Sequence, residues 1–583
     1  PARRLAEVAS VLGGAASEPL LRRVLDQEPI DVVAALSELG DRRLLVAGHD
    51  ERAEVTFAHD KIREVLYQEI PGDRKRELHL AAGTVLEQQL GESTAAPRQD
   101  SRLYAALAQH FLAASEPDKA LAHLENAAET AMSTYSNREA SLYLRQLLEL
   151  TARDSADKLR RARWLRMLGS AQNALGLIDG SRASFAQALT LLGEPPPERR
   201  LVLAGRTVVE VAKCLVVAGA RWLAPEAAVR LPRRPRVEEA LLGHQGIGYL
   251  ITDPLEVFYH CIRMLTLAQW PTDVPSLVRG RATMGLAVGL VPWRGGAELF
   301  FGGSRAAALT KRDDESEAWA LLVEGYYRIG QGELGAAHTV LDRAEALSVG
   351  MGNLRRRNEC RALLAEIAIL NGDLAGAARL SEETVASARA LRDGQAQLWG
   401  LSNLARISLA WGRADDALGV LQRAAGFLQK TVPSDRIMIE GLLALAQLEL
   451  GRGEEARTHA RRVAKLLSVT DSAIYYTIHG CWTAADVLIR SARDDEAGRR
   501  PATLGLAAVC VHALKRHARR HPVAWPRYWL AEGALREARG LPSAARAFDA
   551  AERAAALMRE RAAPGPQVAT VTTVDARGSS GPR

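Results

Sequence analysis

No Gly-Lys dipeptide occurs in this 583-residue chain, and a phosphate-binding loop of the GxxxxGK[ST] type is therefore excluded. His-Arg-Asp and Asp-Phe-Gly are missing too, and with them the protein-kinase signatures. Gly243, Gly246 and Gly248 lack the spacing of a dinucleotide loop and read as a turn. There is no HExxH, no Cys/His cluster and no GxSxG elbow, and none of the cysteines has an evident catalytic partner. The five cysteines (Cys214, Cys261, Cys360, Cys481, Cys510) stand far apart without a CxxC pair, so no disulfide framework is expected, and a reduced cytoplasmic setting is. The most apolar stretch, 208–224, is interrupted by Glu210, Lys213 and Arg221, which a membrane span tolerates poorly. No signal peptide is visible. Aromatic residues are only 5% of the chain, and the β-branched residues and tyrosines of a strand-rich protein are in short supply.

What is present is Ala, Leu and Arg, with a hydrophobic content of 48%, as in a helical protein. The length suits several domains or one long repeat array. Five alanines (Ala297, Ala337, Ala377, Ala417, Ala456) follow one another at intervals of 40, 40, 40 and 39 residues. A small residue precedes each by twelve (Gly285, Gly325, Ala365, Ala405, Ala444), and a glycine lies five before the last four (Gly332, Gly372, Gly412, Gly451). A fixed period of this length marks a solenoid of helical hairpins. The small residue in the first helix lets its partner approach, the glycine ends that helix through a left-handed cap, and the alanine is the contact in the second. A stride of 40 implies longer helices than the common tetratricopeptide hairpin has. The expected fold class is therefore all-α: a tetratricopeptide-like superhelix of helical hairpins.

The front of the chain is different. Amphipathic helical patterns at about 3–12, 18–26 and 30–39 precede an apolar run at 43–47, a polar tip (Gly48, His49, Asp50, Glu51) and a second run at 54–57. Three helices followed by two short strands around a turn predict a winged helix. His59 or Asp60 then starts a helix to about residue 69. The expected organisation is a winged-helix-like domain at 1–72, first helical repeats at 73–197, and an irregular helical connection at 198–274. Regular repeats of about 40 residues at 275–467, terminal hairpins at 468–562 and a disordered tail at 563–583 complete it. Within the first helical repeats, a hairpin spans about 103–131 and another 164–192, closed by Pro195, Pro196 and Pro197. The stretch Arg230, Arg233, Arg234, Arg236 reads as an exposed loop.

Leu321, Gly325, Arg328, Gly332, Ala337, Leu341 and Ala344 follow the tetratricopeptide pattern. The segment from Val55-Thr56-Phe57-Ala58-His59-Asp60 to Tyr67, with Arg76-Glu77-Leu78-His79 after it, resembles the winged-helix segment of bacterial signal-transduction ATPases with numerous domains. In that family this segment follows a nucleotide-binding core and leads into a tetratricopeptide-like arm. The runs 253–268 and 285–292 resemble the arm of relatives fused to serine/threonine kinases or nucleotide cyclases. The resemblance covers residues 1 to about 557. It implies a regulatory arm whose ATP, Mg and phosphotransfer chemistry belong to domains upstream. The chain starts at Pro1 without an initiator methionine, and directly in a helical pattern, so it is expected to be the carboxyl-terminal piece of a longer protein.

A net charge of +7 and a pI near 9.2 raise nucleic acid as a partner, yet the charge is dilute over 583 residues. The third helix of the front exposes Asp31, Ser37 and Glu38, a face that repels phosphate. Arg355–Arg357, Arg461–Arg462 and Arg499–Arg500 read as solvated faces, as does the helix with His512, His517 and His521. His59 and Asp60, beside Lys61, read as a helix start rather than acid–base chemistry. No catalytic, cofactor-binding or metal residue is assigned. The expected function is a non-catalytic arm that binds a protein, peptide or small effector in its groove and restrains an upstream ATPase or kinase module. The alternatives are the arm of an ATPase-type transcription regulator or of a nucleotide cyclase, and an enzyme with an unfamiliar site. An open reading frame upstream of Pro1, tight ATP binding or salt-sensitive DNA binding would discriminate them.

Overall fold

In the computed structural model the described residues are 1–13, 16–25, 31–47, 54–92, 101–151, 157–223, 235–250, 253–268, 274–291, 294–310, 313–428, 432–472 and 474–561. The turn at Gly48–Glu51, the arginines at 230–234 and the tail after 561 lie outside them. The chain divides into two compact units, Pro1–Ser155 and Ala156–Arg583.

The first unit opens with α1 (Ala2–Leu12), β1 (Ala16–Ser17), α2 (Glu18–Val24) and α3 (Val32–Asp41). β2 (Leu45–Ala47) and β3 (Glu54–Phe57) follow, then α4 (Asp60–Glu69) and α5 (Gly72–Glu92). The strands form an antiparallel sheet in the order β1-β3-β2, with Ala16 opposite Val55 and Leu45 opposite Phe57. The two-residue β1 is a third strand that the sequence pattern does not announce. Leu5, Val8, Leu21, Ala35, Leu39, Leu45, Leu78 and Ala82 form the core, so that α5 closes this front module as well. Asp31 caps α3, accepting from the Ala34 amide at 3.1 Å. His59 stands at the N-cap of α4 without a side-chain capping bond. The unit ends in α6 (Ser101–Ala113), α7 (Pro117–Ser133) and α8 (Asn137–Leu150), a hairpin and one helix more.

The second unit is helical throughout its described residues. α9 (Lys158–Ala174) and α10 (Ile178–Leu191) turn at Gly176 (φ 71°). Where the sequence loses its regularity, the chain forms the 24-residue helix α11 (Arg200–Leu223). α12 (Pro235–Leu250) and α13 (Pro254–Ala268) come next, then α14 (Val274–Leu290), α15 (Arg294–Ala308), α16 (Asp314–Gln331) and α17 (Leu334–Gly350). α18 (Leu354–Asn371), α19 (Leu374–Ala390), α20 (Gly394–Ala410) and α21 (Ala414–Ala425) continue the array. α22 (Pro433–Glu449), α23 (Gly453–Val469), α24 (Thr477–Ser491), α25 (Arg500–Arg520), α26 (Trp525–Ala538) and α27 (Ala544–Arg561) complete it.

The alanine stride is a packing device. All five marker alanines are fully buried in the second helices of their hairpins. Gly332, Gly372, Gly412 and Gly451 all have φ between 72° and 83°, in the left-handed region where a side chain costs about 1–2 kcal/mol. At Gly325 a Cβ would stand 2.5 Å from Leu341 Cγ, so the missing side chain is what lets α17 lie on α16. Most helices of the regular hairpins run 17 or 18 residues, which accounts for the long stride.

Adjacent hairpins are also tied by arginine at about one stride. Arg355 Nη1 donates to Asp393 Oδ2 at 2.6 Å, Arg457 Nη1 to Asp495 Oδ1 at 2.7 Å and Arg490 Nη1 to Glu449 Oε1 at 2.7 Å. Arg406 pairs with Glu366 through both guanidinium nitrogens. Longer ties close the array on itself: Arg355 reaches the Ala174 carbonyl, 181 residues away, and Arg561 the Gln331 carbonyl, 230 residues away.

Candidate functional site

The groove side of the second unit holds a cavity of about 250 Å³. α14, α16, α18, α20 and α22, the first helices of successive hairpins, supply most of its wall, and the bend at Ile474–Tyr476 closes one side. Each hairpin thus lends one helical turn to a common surface, as a solenoid of this kind allows. The wall is mainly apolar and aromatic, with Trp319, Tyr326, Trp399 and Tyr475 among its rings. Cys261 lies in it, and burial pushes that thiol up to about 12, so it is protonated at neutral pH and no nucleophile.

The charged groups of the wall are engaged by the protein itself. Glu359 receives Arg356 at 2.6 Å, and the Arg356 guanidinium also lies over the Trp319 ring at 4.7 Å. Glu366 is buried on α18, where it meets Arg406, the Tyr475 hydroxyl at 2.5 Å and His479 Nε2 at 3.2 Å. Arg527 donates to His479 Nδ1 at 2.8 Å. A guanidinium only donates, so Nδ1 is the acceptor and the proton of this neutral imidazole sits on Nε2, facing the carboxylate. Burial holds His479 down to about 3, and Arg406 and His479 overcome the burial of Glu366 to keep it ionised far below the usual range. Behind this cluster the Tyr475 amide donates to Tyr326 Oη at 2.6 Å, linking residues 149 apart.

Asp435, outside the cavity lining but bonded to Tyr476 of the wall, is held differently. It is fully buried, accepts from Tyr476 Oη at 2.8 Å and has no arginine, and burial pushes its carboxyl up to about 7. Its Oδ2 has no partner among the described residues. The indole N–H of Trp399 and the side-chain oxygen of Gln245 are likewise buried without a partner, and both residues line the cavity.

No protein-family model matches the chain, and no curated protein matches it in sequence. Among solved structures it is similar to a signal-transduction ATPase with numerous domains carrying a tetratricopeptide repeat sensor, from Pyrococcus horikoshii. That likeness has 14% identity and a TM-score of 0.33, and covers 92% of this chain but 65% of the other, less than two thirds of its length. A Rap protein complexed with competence and sporulation factor is similar at 11% identity and a TM-score of 0.37, over 61% of this chain and 99% of that one. A Cut9–Hcn1 hetero-tetramer of the APC/C follows at 12% identity and 0.33, over 83% and 93%. At these scores the likeness says nothing of what this chain binds or does.

Several residues singled out in the sequence lie elsewhere than expected. Arg355 and Arg356 are not solvated: both are largely buried, since α18 is flanked by neighbouring hairpins and by the α9–α10 turn. His517 and His521 are 2% exposed, because α25 packs between α24 and α26; His512 alone faces solvent. Burial holds His517 down to about 3, which leaves it neutral. Arg461, Arg462, Arg499 and Arg500 are exposed as expected, and so are Asp31, Ser37 and Glu38 on α3. His59 and Asp60 are exposed at the start of α4. No group of three metal-ligating side chains occurs among the described residues, and none of their helices is long and apolar enough to cross a membrane.

Proposed function

We propose that this chain is the non-catalytic regulatory arm of a larger bacterial signalling protein. It binds a protein, peptide or small effector on the inner wall of its helical array. The observation that carries this reading is the cavity: a concave, mainly apolar wall assembled from successive first helices, whose charged groups are held by the protein itself. The wall does not fit ATP and Mg. Glu359 and Glu366 are taken up by arginines, and no lysine is among the lining residues. Nucleotide chemistry therefore belongs, in this reading, to upstream ATPase domains, with a serine/threonine kinase as the parent's output and the cytoplasm as its place of work.

Residues 1–72 are read as a winged helix. The succession helix, strand, helix, helix, strand, strand and the sheet order β1-β3-β2 support that. The acidic exposed face of α3 favours contact with protein over DNA. The arm of a transcription regulator or of a nucleotide cyclase is the alternative parent, on the same resemblance.

The test is calorimetric titration of the isolated chain with ATP·Mg and with duplex DNA, beside a parent ATPase assay with and without the arm. No nucleotide binding by the chain and a raised ATPase rate on deleting it are expected. Hydrolysis by the isolated chain sinks the reading, and salt-sensitive DNA binding moves it to the transcription regulator.

A further inference from the structure

Six of the exposed large aliphatic residues lie on α11, none of whose described side chains lines the cavity. Its inner face is ordinary: Leu203, Thr207, Glu210 and Cys214 are buried, the last in a cluster with Cys261, Ile262 and Leu265 of α13. Its outer face is not. Leu201, Val208 and Leu215 are 90%, 71% and 68% exposed, and Val202, Val209 and Val216 are 44%, 51% and 70% exposed. Scattered exposed aliphatics need no explanation, but six on one side of one helix mark a contact surface.

The spacing identifies the shape of what fits there. Leu201, Gly205, Val208, Ala212 and Leu215 succeed one another at intervals of four, three, four and three, the seam of a heptad repeat. Large residues alternate with Gly205 and Ala212, both exposed, so the seam is a row of knobs and shallow holes. A second helix lying along it fills those holes. A bilayer does not need them, and between Leu201 and Val216 the helix has none of the aromatic residues that anchor interfacial helices.

The charge beside the seam identifies the flank. Arg199, Arg206 and Lys213, all exposed, stand seven apart along one edge of the valine column. Arg206 bonds the Pro195 carbonyl at 2.8 Å, which neutralises nothing. Lys213 touches Glu210, whose other oxygen is held by Arg263, so the edge stays positive. A second copy of the chain brings the same basic column, which disfavours self-pairing.

We propose that α11 from Leu201 to Val216 docks an amphipathic helix of a partner protein, apolar along a heptad seam and acidic along its flank. The test uses the full chain and two synthetic helical peptides with one leucine heptad seam, flanked by glutamate in one and by lysine in the other. Fluorescence anisotropy should show the glutamate peptide binding about tenfold or more tighter, with the gap shrinking in salt. Val208→Glu, at an exposed site, should cost it about tenfold in affinity while leaving the circular dichroism and Tm unchanged. Arg206→Glu with Lys213→Glu should shift the preference toward the lysine peptide. Equal binding of the two peptides, or of neither, overturns the proposal. So does binding to phosphatidylserine vesicles, or self-association in sedimentation, that Val208→Glu abolishes.

Discussion

The front module and the hairpin array use charge in opposite ways. In α1–α5 the ion pairs are mostly neighbours on one helix: Glu18 with Arg22, Glu38 with Arg42, Lys61 with Glu64, Glu77 with Arg74. Water reaches all of them. In the array Arg355–Asp393, Arg406–Glu366 and Arg457–Asp495 join different helices about a stride apart, and their side chains are largely withdrawn from solvent. An exposed pair contributes little and is screened by salt, whereas half of a buried pair is a liability. At such joints arginine serves where lysine would not, because a planar, two-pronged donor can bridge helices to carboxylates and carbonyls at once, as Arg355 does with Asp393, Gln395 and the Ala174 carbonyl.

The largest effect is expected where that joinery is densest. Glu366→Ala leaves Arg406, Tyr475 and His479 facing an empty site, and urea unfolding should show a loss of about 3–5 kcal/mol. A loss too small to measure would mean that buried and exposed pairs do not differ.

Next is Asp435, a buried carboxylate near the cavity that has no arginine. Its folded pKa of about 7 lies above the ordinary 3.8, so the folded state holds the extra proton between those values. Stability is full below about 4 and falls as pH rises through 7, by on the order of a few kcal/mol. Tm of the parent measured from pH 5 to 8 should fall relative to Asp435→Asn, which carries no titrating group there. Parallel profiles would refute the shift.

A smaller loss, about 1–2 kcal/mol, is expected for Gly332→Ala, which forces a side chain into the left-handed region and toward Met558. The smallest belongs to the front module. Glu64→Gln removes an exposed pair with Lys61, and Tm should not move at any salt concentration.

The array is legible in the sequence because its packing rule is written in residue size. A fully buried alanine recurs in five successive hairpins and a left-handed glycine in the last four of them, and size and backbone freedom survive in a one-letter string. Burial of polar residues does not. A first helix such as α18 is covered on several sides, so Arg355, Arg356 and Glu366 carry no amphipathic signature, and partners such as Asp393 and Ala174 for Arg355, or Arg406 and Tyr475 for Glu366, lie a stride or more away. Of the cavity, the repeat pattern announces only a groove formed by first helices; its lining runs from Ile178 to Tyr476 and leaves no local mark. β1 has two residues, too few for any period to show. The charges within α11 exclude a membrane span, but its heptad seam stands out only once the structure shows which of its apolar residues face outward.

The ties from Arg355 to Ala174 and from Arg561 to Gln331 have a kinetic side. An ideal solenoid folds from contacts between neighbours, so it zips from any nucleus and frays from its ends one hairpin at a time. These contacts, 181 and 230 residues apart, raise the contact order and can form only after the intervening hairpins are in place. The last helices are therefore clasps, and a chain shortened before α27 should lose cooperativity well inside the array and not just its final turn.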